Sequence, residues 1–186
     1  MMKRAFDFLF ALFFIVLFFP VFLAVGLVVF ISDRLPVIFK QERTGKNSKV
    51  FIAYKFRTMK QGSEGKLVEN ENDKRIIKHG KFLRKLNLDE LPQLINILRV
   101  EMSFIGPRAD PVFVNKKLGE IRGWGQRFKI RPGLTGLAQV NNKSSFQPAE
   151  KLRYDLDYIK YKSFWLDLKI IAKTIKLFFK KLKMRK

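Results

Sequence analysis

The chain has 186 residues with a formal net charge of +22, 20 Phe, one His and no Cys. That length suits one compact domain and is too short for two large ones. The missing Cys excludes disulfides and thiolate metal sites, and a single His, His79, leaves little for a His-rich metal centre or a Ser–His–Asp triad. A field this positive attracts polyanions: nucleic acid, anionic lipid headgroups or phosphorylated substrates.

The first element is apolar. Phe8 to Ile31 is a run of 24 residues without a charge. A straight helix of that length is about 36 Å long, against about 30 Å for a bilayer core. A single span, a signal peptide and a re-entrant hairpin are the three readings. A cleavable signal is disfavoured by the length of the run and by the lack of a small-residue cleavage site after it. Pro20 interrupts the run and predicts a kink. Both flanks are basic, Lys3 and Arg4 before and Arg34 and Lys40 after, and basic flanks stay on the cytoplasmic side. A helix that enters, bends at Pro20 and returns satisfies both, so residues 1–32 are expected to form a re-entrant hairpin and residues 33–186 a cytoplasmic domain.

Further along, Val37 to Lys40 and Val50 to Phe56 read as strands around a polar turn at 41–49. Gln61 to Lys74 reads as a surface loop. Helices are expected over Ile76 to Leu86, from about Asp89 to Val100, over Ala149 to Tyr161 and over Trp165 to Lys183. In the last of these, Phe164, Trp165, Leu168, Ile171, Ile175 and Phe178 recur at helical spacing with lysines between them. It either packs on the domain core or lies in the membrane interface against anionic lipids, and the apolar block beside it favours the second. The expected class is α+β, mainly helical: a small catalytic domain on a membrane hairpin, with amphipathic interfacial helices.

Asp89-Glu90 is the one adjacent acidic pair. Read locally, Asp89 at a helix start is an N-cap. Its surroundings suggest more. Lys55, Arg57, Arg84, Arg108 and Arg131 all stand beside turns or element ends, where side chains can reach a cleft. Carboxylates among such cations suit phosphate chemistry, because they can attack phosphorus or hold Mg²⁺ while the cations offset the charge of a diphosphate.

Four segments in order carry a resemblance: Tyr54-Lys55-Phe56-Arg57-Thr58-Met59, Leu88-Asp89-Glu90-Leu91-Pro92-Gln93-Leu94, Met102-Ser103-Phe104-Ile105-Gly106-Pro107-Arg108, and Arg131-Pro132-Gly133-Leu134-Thr135-Gly136-Leu137-Ala138-Gln139-Val140. With the stretch around Asp167, the chain resembles the bacterial sugar transferases, the monotopic phosphoglycosyl transferases. The resemblance implies that Asp89 attacks the β-phosphate of a UDP-sugar and releases UMP. The phospho-sugar then passes to a polyprenol phosphate, undecaprenyl phosphate. It implies Glu90 as Mg²⁺ ligand or base, with Asp89 also at the metal, and Lys55, Arg84 and Arg108, with Arg131 as a weaker match, as substrate-binding cations; Arg57 joins them as a candidate from its place beside Lys55. Two positions depart from the family pattern. Ala109 stands where Pro usually follows Arg108, predicting a looser turn, and Phe19 stands where Ser usually precedes the kink proline.

Two rival classes remain: a membrane-tethered nucleic-acid binder and a structural membrane-surface protein. The dispersed basic residues and the lack of a recognition motif weigh against the first, so no nucleic-acid partner is expected. The acidic pair beside arginine turns weighs against the second.

Overall fold

A computed structural model describes residues 2–33, 35–60, 62, 63 and 73–183. Arg34 and most of the expected 61–74 loop therefore lie outside the described residues.

The apolar block forms two helices, α1 (Met2–Leu17) and α2 (Phe19–Asp33), bent by 62° at Phe18. Among the described residues no single helix is long and apolar enough to cross a membrane, but the bent pair together is. The bend falls two residues before Pro20, not at it. A proline ring collides with the carbonyl four residues back, so the distortion appears in the preceding turn, and Pro20 itself sits in the first turn of α2.

Both arms are held on one domain. Asp7 of α1 is buried and accepts hydrogen bonds from Ser103 Oγ (2.8 Å) and the Phe104 amide (3.2 Å). Arg4 donates to the carbonyls of Met102 (3.1 Å) and Ile97 (3.3 Å). Lys3 Nζ meets Asp167 (2.6 Å), Tyr158 (2.8 Å) and the Ile105 carbonyl (3.3 Å). One turn on, Ala11 packs with Leu94, Ile97 and Met102, flanked by Phe14 and Ile15. In α2, Val25 and Val29 pack against Phe56 and Leu83. The opposite side, including Phe8, Phe13, Val16, Leu23 and Leu27, is exposed and apolar. A patch of that size marks a surface meant for a non-aqueous or protein neighbour.

Strands β1 (Ile38–Thr44) and β2 (Val50–Phe56) form an antiparallel hairpin, Ile38 opposite Phe56 and Thr44 opposite Val50. The expected strand at 37–40 is thus too short. Gln41, Glu42 and Arg43 are polar, yet the ladder with β2 carries them, and the turn shrinks to residues 45–49.

After α3 (Lys78–Lys85) the chain reverses at Asn87, whose φ of 53° lies in the left-handed region that Asn tolerates. A 3₁₀ turn, Leu88–Glu90, follows, and then α4 (Gln93–Leu98). The helix expected from Asp89 therefore begins later, behind Pro92, and Asp89 caps neither element. Asn96 ties α4 to β2, donating to the Ile52 carbonyl (2.6 Å) and accepting from the Tyr54 amide (3.1 Å).

Two short parallel strands, β3 (Ser103–Ile105) and β4 (Gly133–Thr135), flank α5 (Val112–Leu118) and a 3₁₀ turn at Trp124–Lys129. The pair comes close because a Cβ at Gly133 or Gly136 would collide with the Gly106 main chain. Helices α6 (Leu137–Val140), α7 (Pro148–Tyr161) and α8 (Phe164–Lys183) complete the chain. Ile105, Val140, Tyr158 and Ile170 form their shared core. Helix α8 buries Ile170 but leaves Trp165, Leu168, Ile171 and Ile175 exposed, so it is not a fully packed core helix. The mixed, mainly helical α+β class agrees with expectation.

Candidate active site

The 3₁₀ turn at 88–90 sets the acidic pair apart. With three residues per turn, neighbouring side chains point about 120° from each other. Glu90 faces two cations. Its Oε1 accepts from Lys55 Nζ (2.7 Å) and from Arg108 Nη2, and its Oε2 accepts from Arg108 Nη1 (3.1 Å). The Arg108 contact is a bidentate fork. Burial would raise the Glu90 carboxyl, but Arg108 and Lys55 together hold it well below the usual carboxylate range. Burial pulls Lys55 down to about 8 despite its partner, while the Glu90 charge pushes Arg108 above its ordinary value.

Asp89 is also buried, at 6% exposure. No donor among the described residues reaches its carboxylate. Burial raises its carboxyl above the ordinary value, Lys55 and Arg84 pulling the other way and the Glu90 charge adding to the rise. One carboxylate is locked and its neighbour is left available.

Lys55 comes from the end of β2, and Arg57, two residues on, is buried beside it in sequence. Arg84 comes from the last turn of α3. Gly80 lets that helix lie on the Thr58 main chain, where a Cβ would collide, and Arg84 Nε donates to Thr58 Oγ1 (2.8 Å). Burial lowers the Arg84 pKa, and Asp89 is the largest charge opposing that. Arg131 is elsewhere. Its Nε donates to the Val100 carbonyl (2.7 Å), and the charges acting on it are Arg4 and Asp7. Its place is at the foot of α1, because the tight β3–β4 pairing turns residue 131 that way.

Sequence reasoning missed Arg43. From β1 it donates to the Ala109 carbonyl (2.7 Å), and it feels Arg108, Glu90 and Asp89, with burial lowering it to about 10. Among 38 Lys and Arg it carried no distinguishing mark. The expected loosening at Ala109 is not seen: the Arg43 bond holds that carbonyl. Also missed was a buried ionic block of Asp110, Arg127, Lys151 and Asp155. The scarcity of acids, 16 in all, was the available signal.

An available carboxylate beside a locked one, with Lys55, Arg84 and Arg108 around them, suits a protein that handles phosphate esters. On sequence comparison the chain belongs to the bacterial sugar transferase family, whose model matches residues 1–181. It is 40% identical over 183 residues to a UDP-glucose:undecaprenyl-phosphate glucose-1-phosphate transferase of Escherichia coli, covering 94% of this chain and 39% of that protein. It is 41% identical over 180 residues to a UDP-N-acetylgalactosamine-undecaprenyl-phosphate N-acetylgalactosaminephosphotransferase of Aeromonas hydrophila, covering 94% and 43%. It is 39% identical over 194 residues to the exopolysaccharide production protein ExoY of Rhizobium meliloti, covering 94% and 84%. The chain thus spans about two fifths of the first two relatives.

Proposed function

We propose that this chain transfers a sugar-1-phosphate from a UDP-sugar to undecaprenyl phosphate at a membrane surface, with Asp89 as nucleophile. The observation that carries this reading is the contrast within the acidic pair. Glu90 is committed to Lys55 and Arg108, whereas Asp89 is buried and its oxygens accept no hydrogen bond from the described residues.

In the first step an Asp89 oxygen forms a bond to the β-phosphorus of the UDP-sugar. The bridging oxygen between the two phosphates leaves with its electron pair as part of UMP. Asp89 then carries the phospho-sugar as an acyl phosphate. In the second step a phosphate oxygen of the lipid attacks the same phosphorus, the Asp89–phosphorus bond breaks, and a sugar diphospholipid forms with the carboxylate restored. Lys55, Arg84 and Arg108 offset the charge of the diphosphate at both steps. Glu90 serves as their counter-charge and holds Lys55 and Arg108 at fixed positions.

Mg²⁺ fits this donor set with Asp89 as its protein ligand, since Mg²⁺ is typically held by one or two carboxylates together with substrate phosphates and water. The second Asp89 oxygen is available for it, while Glu90 has both oxygens in ion pairs and suits direct ligation less well. When bound, Mg²⁺ would neutralise part of the phosphate charge.

The bent α1–α2 pair would anchor the domain as a re-entrant hairpin on the cytoplasmic side, both arms being tied to it. The exposed face of α8 would lie among anionic headgroups.

The test is covalent. Protein incubated with a UDP-sugar and Mg²⁺ but no lipid should gain the mass of a phospho-sugar on the peptide containing Asp89, labile to hydroxylamine. An adduct on Glu90 reverses the two roles, and UMP release by Asp89→Asn at the normal rate removes the mechanism.

A further inference from the structure

Arg108 reaches Glu90 from an irregular segment just past β3. Four consecutive carbonyls in that segment each receive a donor from elsewhere in the chain. The Pro107 carbonyl takes the Gly133 amide (2.9 Å), and that of Arg108 takes Arg127 Nη2 (2.9 Å). The Ala109 carbonyl takes Arg43 Nη1 (2.7 Å), and that of Asp110 takes the Thr44 amide (3.2 Å). The segment is short and extends the β3–β4 pairing by a single bridge, Arg108 opposite Gly133, and these four bonds help to fix where Arg108 starts.

Arg127 stands out among the donors. Its one guanidinium binds three groups: Asp155 Oδ2 through Nε (2.7 Å), Asp110 Oδ2 through Nη1 (2.8 Å) and the Arg108 carbonyl through Nη2. It also lies over the Trp124 ring, 4.3 Å from the centroid, and is buried at 3% exposure. Lys151 shares Asp110 Oδ2 with Arg127, Ser145 donates to Oδ1, and the two cations and two carboxylates of the block balance. A buried ionic block of this kind is seldom worth more stability than apolar side chains of equal volume. Apolar side chains, however, cannot grip a main-chain carbonyl.

We propose that Arg127 is a positioning residue of the site: by holding the Arg108 carbonyl from behind, it sets the Arg108 fork against Glu90. This rests on the reading above that Arg108 serves phosphate transfer. Arg127 does not touch Glu90, Asp89 or any reacting atom and acts only through Arg108. The planar fork is essential, since a lysine keeps the charge but cannot bind three acceptors in fixed directions.

The test is a double-mutant cycle in full-length, detergent-solubilised protein. Arg127→Lys should stay folded by circular dichroism and lose about 100-fold in the rate of UMP release, as a misplaced catalytic group does. In an Arg108→Ala background the same change should cost less than about threefold, because the residue it positions is already gone. An equal loss in both backgrounds means that Arg127 only stabilises the domain, and the proposal falls. Should Arg127→Lys fail to fold, Asp155→Asn, which keeps the shape of the partner, should give a smaller loss with the same background dependence. A second readout is independent of activity. In ¹⁵N-arginine-labelled protein the Arg108 guanidinium protons, assigned with Arg108→Ala, should be protected from exchange, and Arg127→Lys should abolish that protection. Unchanged protection overturns the proposal. Absence of UMP release by the wild type would overturn the functional reading instead, and the exchange measurement would still decide the role of Arg127.

Discussion

Asp89 and Glu90 are adjacent in the chain and opposite in state: Glu90 is held by three hydrogen bonds from two cations, and Asp89 by none among the described residues. The 3₁₀ turn achieves this by pointing the two side chains in different directions.

Stability and activity should therefore separate at residue 89. Burial disfavours the charged form of Asp89, so a neutral amide of the same shape relieves that cost. Asp89→Asn should melt at or above the wild-type temperature while turnover falls by about 10⁴-fold or more, as for loss of a nucleophile. Differential scanning fluorimetry and UMP release check both halves.

At residue 90 stability should fall as well. Glu90→Gln leaves Lys55 and Arg108 half-buried without the carboxylate that pairs with them. Losing hydrogen bonds to charged groups of this kind costs about 2 kcal/mol. The variant should unfold at lower denaturant than Asp89→Asn, and a midpoint equal to wild type would show that the ion pairs contribute nothing.

Alkaline pH should weaken the site through Lys55. Its pKa is lowered to about 8, so the cation is present below that pH and is lost above it. The free-enzyme parameter kcat/KM should fall as pH rises through about 8. Lys55→Arg, which stays charged, should move that limb upward by more than one pH unit, and an unmoved limb assigns it to another group.

The anchor can be tested because the chain has no Cys. Single cysteines at Met2 and Lys180 should both react with a membrane-impermeant maleimide from the cytoplasmic side alone. Labelling of Met2→Cys from the outside would establish a span. Pro20→Leu should shift the protein toward that spanning form.

Much of this architecture is legible locally. The apolar run, Pro20, the amphipathic helices and the pair Asp89-Glu90 announce themselves by period or by contrast with a basic chain. Arg43, Arg127 and Asp155 do not, because their partners lie 66, 19 and 28 residues away. Arg131 misled for the same reason: a turn that exposes an arginine does not say toward what, and the β3–β4 pairing directs it to Val100. The bend at Phe18 lies within the turn before Pro20, the turn that a proline ring distorts.

Helix α1 lies along α4, the helix that follows the Asp89 turn, so the bent helix pair and the Asp89 carboxylate belong to one packed unit. On the proposed anchoring, the depth of the hairpin fixes the height of Asp89 above the lipid phosphates. On the proposed function the two substrates would arrive by different searches. The nucleotide-sugar would diffuse in from three dimensions, drawn by the positive field. The lipid would need only to drift sideways in the plane of the membrane, already at the height where its phosphate is to react, and the product would leave by the same lateral route.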